Sequence, residues 1–309
     1  MRNIYSIKKI KKHLINNAVV AIPTETVYGL AGNAYSDKAV KKIFALKKRP
    51  IINPLIIHYG KLNDLKKDCY LNKNFKILFK KFCPGPLTFV LKKKVTSKLS
   101  KYVNLNKKTL AVRFPNHKIT KNILKYINFP LAAPSANISS KLSPVTASDV
   151  KDEFKKKIKY IVNGGKSKIG LESTIINLVG KPVILRPGGL EIEKIEKVLN
   201  KKIKIKKNSK NILAPGQLNF HYSPGIPVRL NAKSPKKNEA LIQFSKSKYN
   251  YKNYFYLSRK GSMKEAAKEL YSLLRLIKKM KYKSIAVKKI PNKGLGIAIN
   301  DRLKRASYK

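Results

Sequence analysis

The stretch "AVVAIPTETVYGLAG", residues 18–32, sets the reading of the chain. Its first five residues are apolar, as in a strand buried on both faces. Pro23 ends that run, and Thr24, Glu25 and Thr26 place two hydroxyls and a carboxylate just beyond it. In an open α/β sheet the loops past the strand carboxyl ends converge, and ligands settle there. The same residues read equally well as a capped turn, with Gly29 permitting close backbone approach.

Working outward, the runs "PLIIHY", "PLTFVL", "TLAVRF", "PLAA", "KYIV", "STIINLV" and "PVILR" also read as strands, several of them separated by helical patterns. The first two-thirds is therefore α/β with a mixed sheet. Ahead of the first strand, Ile4, Ile7, Ile10, Leu14 and Ile15 recur at helical spacing, which predicts a helix rather than a transit peptide. Another helix opens at Ser36 or Asp37 and carries Ala39, Val40, Ile43, Phe44 and Leu46 on one side. Pro50 prevents its continuation, leaving Lys47, Lys48 and Arg49 in its last turn.

The chain has 309 residues, enough for two domains, and a formal net charge of +55. Such a charge suits nucleic acid or an anionic small molecule. Lysine is spread through almost every helix and loop, however, which suggests a biased genome as much as a selected patch. Cys69 and Cys83 are too few for a disulfide framework, which implies a reducing compartment. No apolar run approaches the roughly 18 residues of a membrane span. The four histidines lack metal-ligand spacing, and no phosphate-binding glycine loop or nucleophile elbow is present.

What remains are polar clusters at strand ends. Lys47, Lys48 and Arg49 precede a strand, with Asn53 in the loop and His58 toward the strand's far end. Arg113 sits among apolar residues and must be paired if buried; its planar fork suits a carboxylate or phosphate. Ser135, Asn137, Ser139, Ser140 and Ser143 share one loop, and Glu172, Ser173, Thr174 and Arg186 flank later strands. Singly, each has an ordinary loop explanation.

Beyond "LEIEKIEKVLN" lies a basic stretch, then "ILAPGQLNFHYSPGIPVRL", whose prolines and glycines read as a linker. Next come two strands, "ALIQF" and "YFYL", and a helix opened by Ser262 with Glu265 in a capping-box arrangement. The strand "SIAVKKI" and the helix "LGIAINDRLKRA" complete a small α/β domain. The expected boundaries are 1–204, a linker over 205–231, and 232–309.

The ordered motifs "IPTETVYGLAGNA", "IFALKKRPIINPLIIH", "PGPLTFVL", "AVRFPNH", "APSANISSKLSPV", "LESTIINL" and "ILRPGG" resemble the YrdC-like threonylcarbamoyl-AMP synthases. "HYSPGIPV" and "GLGIAINDRLKRAS" resemble the longer members, with a twisted mixed sheet followed by a linker and a small Rossmann-like domain. The resemblance implies a nucleotidyltransferase that joins L-threonine, bicarbonate and ATP into threonylcarbamoyl-adenylate and pyrophosphate. Other tRNA-modifying proteins then transfer the group to tRNA.

It further implies catalytic roles for Lys47, Arg49, Ser135 and Asn137. Threonine would meet Thr24, His58, Arg113, Ser173 and the backbone near Ala133. The nucleotide would meet Arg49, Asn53, Thr109, Ser135, Ser143, Arg186 and the linker's His221 or Tyr222. Mg2+ would accompany ATP without a dedicated protein cage, and the linker would fold over the pocket as a lid. The protein is expected to be cytoplasmic, with at most a weak tRNA contact. A rival reading is an RNA-binding module that holds structured RNA on a basic concave face without catalysis.

Overall fold

The structure, a computed structural model, describes residues 2–3, 7–206, 213–216, 221–246 and 251–308. The chain begins with β1 (Arg2–Asn3), α1 (Ile7–Ile15), β2 (Val20–Ile22), β3 (Gly29–Asn33), α2 (Asp37–Lys47), β4 (Ile56–His58), α3 (Leu62–Asp68) and α4 (Lys73–Phe82). It continues through β5 (Leu87–Lys92), β6 (Thr109–Arg113), α5 (Lys118–Tyr126), β7 (Leu131–Ala132), α6 (Ala147–Phe154), β8 (Tyr160–Ile161), β9 (Thr174–Asn177), β10 (Val183–Arg186) and α7 (Ile192–Leu199). The last elements are β11 (Val228–Leu230), β12 (Glu239–Ser245), β13 (Tyr254–Ser258), α8 (Met263–Lys279), β14 (Ser284–Val287) and α9 (Leu295–Ser307).

Strands β1 to β10 make one ten-stranded sheet in the order β1-β8-β2-β3-β7-β4-β6-β5-β9-β10. Its pairings are mixed: β4 runs parallel to β6, and β5 antiparallel to β6. Strands β11-β14-β12-β13 form a second sheet that is parallel throughout. Every run read as a strand in the first two-thirds carries one.

Apolar burial drives both units. One face of the large sheet packs Leu30, Ile57, Phe89, Val112 and Ile176 with Val40, Ile43 and Phe44 of α2 and Phe75 and Leu78 of α4. The second core gathers Ala240, Ile242, Ile285, Leu270, Leu274 and Ile299, and extends without a break to Val27, Leu142, Val145 and Leu171 of the first unit. At this junction Gly170, at φ +78°, donates its N–H to the Thr26 carbonyl at 3.1 Å and lies against the backbone of α8.

Several local expectations change. β3 is not legible as a strand, and Gly29 sits in its ladder opposite Ile22, where a Cβ would meet Ala133 and Pro134 at an ordinary 3.6 Å, so the expected close backbone approach does not require glycine. Residues 228–230, inside the expected linker, pair with β14, so the end of that stretch belongs to the second sheet. Ser262 does cap α8, but Glu265 turns its carboxylate to the Ser258 hydroxyl and the Arg259 N–H, so the box is only half formed. Ser36 caps α2 by accepting from the Ala39 N–H. Ile10 and Leu14 are buried on α1, whereas Ile15 is about half exposed at 49%; Ile4 lies outside the described residues.

Candidate active site

Sheet register sets the site. His58 pairs with Arg113, Arg113 with Thr88, Thr88 with Ile175, and Ile175 with Arg186, which lays these residues in one row across four adjacent pairings. A narrow cleft opens over the carboxyl ends of β2, β4, β6, β7 and β10. Ile56 lies at its floor. Ala214 joins Ile56, Val90 and Ala111 in a small apolar cluster, so the 213–216 segment covers this face of the sheet.

At one end stands the loop after β2. The Thr24 hydroxyl donates to the Val27 carbonyl at 2.6 Å and accepts from the Thr26 and Val27 N–H groups, a compact turn whose threonines face the cleft. Ser167 ties the loop down by donating to the Thr24 carbonyl. Beside it, Arg113 Nη2 lies 2.7 Å from Glu25 Oε1, both side chains being nearly inaccessible to water. The charges touch, but among the described residues neither atom has a well-aligned hydrogen bond; Nε of Arg113 does, donating to the Gly85 carbonyl at 3.3 Å. His58 leaves Nδ1 buried without a partner.

The second wall is the loop after β7. Lys47 is buried, an unusual fate for lysine, and donates Nζ to the Ser135 and Asn137 carbonyls at 2.5 and 2.6 Å. Within the loop, Ser135 donates to Asn137 Oδ1, while Asn137 Nδ2 donates to the Ile138 and Lys141 carbonyls. Arg49 folds back on its own turn, donating to the Asn53 carbonyl, Asn53 Oδ1 and the Pro54 carbonyl.

The third wall combines β9, β10 and the second unit. Arg186 donates to the Ser173 carbonyl at 2.8 Å and to the Pro215 carbonyl at 3.4 Å. A Cβ at Gly188 would sit 2.5 Å from the Ser173 carbonyl carbon, so only glycine lets the "RPGG" turn press against the β9 entry. Glu172 accepts from Ser143 Oγ at 2.5 Å and from Arg302 Nε at 2.8 Å. His221 and Tyr222 are buried and line the cleft, with the Tyr222 hydroxyl lacking a partner.

The electrostatics favour an anion. Burial, with the neighbouring Arg49 charge, pulls the Lys47 ammonium well below lysine's ordinary value. Burial likewise pulls the Arg49 guanidinium down to about 9 and lowers Arg186. Among the described residues none of these three forms a direct ion pair with a carboxylate; Glu172 acts on Arg186 and Glu153 on Lys47 from farther off, which leaves direct charge compensation to a ligand. Burial keeps His58 and His221 neutral, the Arg113 charge adding to the effect at His58. Burial alone would raise the Glu172 carboxyl, but the Arg302 and Arg186 charges and the hydrogen bonds outweigh it and bring it to about 2.

Thr24, Arg49, His58, Arg113, Ala133, Ser135, Ser173, Arg186, His221 and Tyr222 all line this one cleft. Lys47, Asn53, Asn137 and Ser143 stand one contact behind it, each holding a lining residue or its backbone. Thr109 is farther off: the register that sets Ile56 beside Ala111 carries it to the level of Pro54, beside the Arg49 turn and away from Arg113. Arg302 and Tyr271 were not singled out from the sequence, and nothing local in it marks them. The partners of Glu25 and Glu172 lie 88 and 130 residues away along the chain. Among the described residues no group of three or more His, Cys, Asp or Glu is placed to hold a metal ion.

Fold and site together define a two-unit α/β protein built to hold an anion. A family profile described as "Telomere recombination" matches residues 12–188, and one described as "Threonylcarbamoyl-AMP synthase, C-terminal domain" matches residues 190–307. The chain is 38% identical to a threonylcarbamoyl-AMP synthase of Pyrococcus abyssi over 94% of its length and 90% of the relative's. It is 36% identical to that of Bacillus subtilis, over 95% and 90%. The crystal structure of P. abyssi Sua5 complexed with L-threonine superposes with a TM-score of 0.89 at 35% identity, covering 97% of this chain and 94% of that one. The chain therefore belongs to the threonylcarbamoyl-AMP synthase family, in its two-domain form.

Proposed function

We propose that this protein is a nucleotidyltransferase that condenses L-threonine, bicarbonate and ATP to threonylcarbamoyl-AMP and pyrophosphate. The observation that carries this reading is the set of buried cations, Lys47, Arg49 and Arg186, without carboxylate partners around one cleft. The threonine carboxylate meets Arg113, whose contact with Glu25 is poorly aligned and hence exchangeable, while Thr24, Ser173 and the Ala133 backbone hold the rest of the amino acid. Neutral His58 offers Nδ1 to the amine side. The threonine nitrogen bonds to the bicarbonate carbon, and water leaves to give a carbamate. A carbamate oxygen then bonds to the α-phosphorus as the bond to pyrophosphate breaks.

This chemistry needs alignment and charge compensation more than a protein nucleophile. Arg49 and Ser135 serve the developing charge, and Lys47 and Asn137 hold the loop that presents Ser135. Asn53, Thr109, Ser143, Arg186, His221 and Tyr222 form the nucleotide side. Both carboxylates near the cleft are engaged by arginines, so Mg2+ rides on the ATP phosphates rather than on a protein cage.

In this reading residues 1–204 form the catalytic unit, and Pro215, His221 and Tyr222 of the linker cover the cleft as a lid, residues 207–212 and 217–220 of that linker lying outside the described residues; 232–309 form the second domain. No described helix is long and apolar enough to cross a membrane, which accords with a cytoplasmic enzyme feeding a tRNA-modifying transferase.

Purified protein with ATP and Mg2+ should release pyrophosphate only when both L-threonine and bicarbonate are present. Release that ignores the omission of either, or no release from folded protein, sinks the reading. Tight binding of structured RNA in that last case would favour the RNA-binding alternative.

A further inference from the structure

Glu172 is out of place in an anion site. It is a buried carboxylate lining a cleft whose other charged lining residues are Arg49, Arg113 and Arg186. Left uncompensated, it would repel a triphosphate and draw Arg186 toward itself. Its counter-charge arrives from the last helix of the chain. Arg302 of α9, 1% exposed, donates Nε to Glu172 Oε2 at 2.8 Å and Nη2 to the Pro187 carbonyl at 3.0 Å. Its guanidinium lies over the Tyr222 ring at 4.7 Å, an arrangement that uses the planar cation's face as well as its edge.

Two further groups complete the carboxylate's shell. The Tyr271 hydroxyl of α8 stands 3.0 and 3.1 Å from the two Glu172 oxygens, and Ser143 donates to Oε1. With its acceptor sites occupied from the side away from the cleft, Glu172 does not form an ion pair with Arg186. Arg186 instead points its donors at the neutral Ser173 and Pro215 carbonyls, and its N–H groups can be shared with a ligand anion.

We infer that Arg302 is a positioning residue for the nucleotide: by saturating Glu172 from behind the wall, it leaves Arg186 available to the phosphates while touching no substrate itself. The inference rests on the proposed ATP site and adds to it that the second unit supplies part of that site's charge balance. It accounts for a fully buried arginine reaching from α9 into the first unit, where a lipophilic side chain would fill the space at less desolvation cost.

The test uses the full chain and the pyrophosphate-release assay, with KM for ATP and for threonine measured separately. R302M should raise KM for ATP about tenfold and change KM for threonine less than about twofold. The double variant R302M/E172Q, which removes both charges, should return KM for ATP to within about threefold of wild type. R302K, which keeps a charge but loses the fork, should fall between them. If R302M does not fold, R302K carries the test: its KM for ATP should rise severalfold while KM for threonine stays within about twofold, and an unchanged KM for ATP overturns the inference.

An unchanged KM for ATP in R302M overturns the inference. So does a parallel rise for both substrates, or a double variant whose KM for ATP is no better than that of R302M; recovered stability alone does not count, because removing an orphaned buried carboxylate also rescues a merely structural pair. Wild-type protein without ATP-dependent release would instead bring down the reaction reading itself.

Discussion

Arg113 meets Glu25 at 2.7 Å without a well-aligned hydrogen bond, whereas Glu172 accepts from Arg302, Ser143 and Tyr271 at once. Both are buried arginine–glutamate pairs at the same cleft. The first lies within one unit and keeps donors of its arginine uncommitted; the second joins two units and commits every oxygen. A pair that is electrically matched but poorly directed can be exchanged for a ligand carboxylate. A saturated one works as a fixed part of the wall. The comparison teaches that ion-pair distance alone does not separate a substrate-binding arginine from a structural one, and that hydrogen-bond direction does.

The largest break in this comparison should come from R113A/E25Q, in which the glutamine spares the protein an orphaned buried carboxylate. We expect kcat/KM for threonine to fall about 10³-fold, or roughly 4 kcal/mol, with KM for ATP little changed. Steady-state kinetics in both substrates checks it, and a loss under tenfold would mean that Arg113 does not hold the carboxylate.

Acid unfolding tests the saturated pair. The folded Glu172 carboxyl lies at about 2 against an ordinary 4.5, so the stability it contributes is complete above pH 4.5 and disappears as pH falls toward 2. The shift corresponds to about 3 kcal/mol, which denaturant titrations of wild type and R302M/E172Q should show as a steeper acid slope in the wild type. His58 and His221, held neutral when folded, add a loss that begins as pH falls below 6.5, because the unfolded chain then binds protons that the folded one does not.

K47M should cost about 2 kcal/mol of stability and roughly tenfold in turnover, since two buried carbonyls lose their donor and the Ser135 loop its anchor. Geometry that ties Nζ to two backbone oxygens calls for both losses at once. S36A serves as the control outside both pairs. Removing the α2 cap should cost about 1 kcal/mol by thermal unfolding and leave each KM within about twofold.

Most strands were readable because long Ile, Val and Leu runs admit few alternatives. β3 was not, since "GLAGN" has neither β-branched residues nor alternation, and only its neighbours β2 and β7 make it a strand. β11 hid because its three residues follow a stretch rich in proline and glycine, and it is the pairing with β14 that makes them a strand. At the site, the hydroxyls and arginines at strand ends were legible by residue type, and Thr24, Ser135, Ser173, Arg49, Arg113 and Arg186 meet in one cleft. Their partners were not. That Glu25 faces Arg113, and Glu172 faces Arg302, depends on tertiary approach across long stretches of chain, and a buried Lys47 contradicts lysine's usual preference for water.

Gly170 gives the junction between the units a mechanical character. A Cβ there would stand 2.5 Å from the Lys268 Cα of α8, closer than backbone atoms tolerate, and the φ of +78° already disfavours a side chain. Tyr271 lies three residues farther along the same helix, less than one turn from that contact. A single methyl group at position 170 would thus act as a wedge, prising α8 outward and lifting the tyrosine off its carboxylate without changing any charge. The thinnest residue in the chain is in this sense the shim that sets the spacing of the seam.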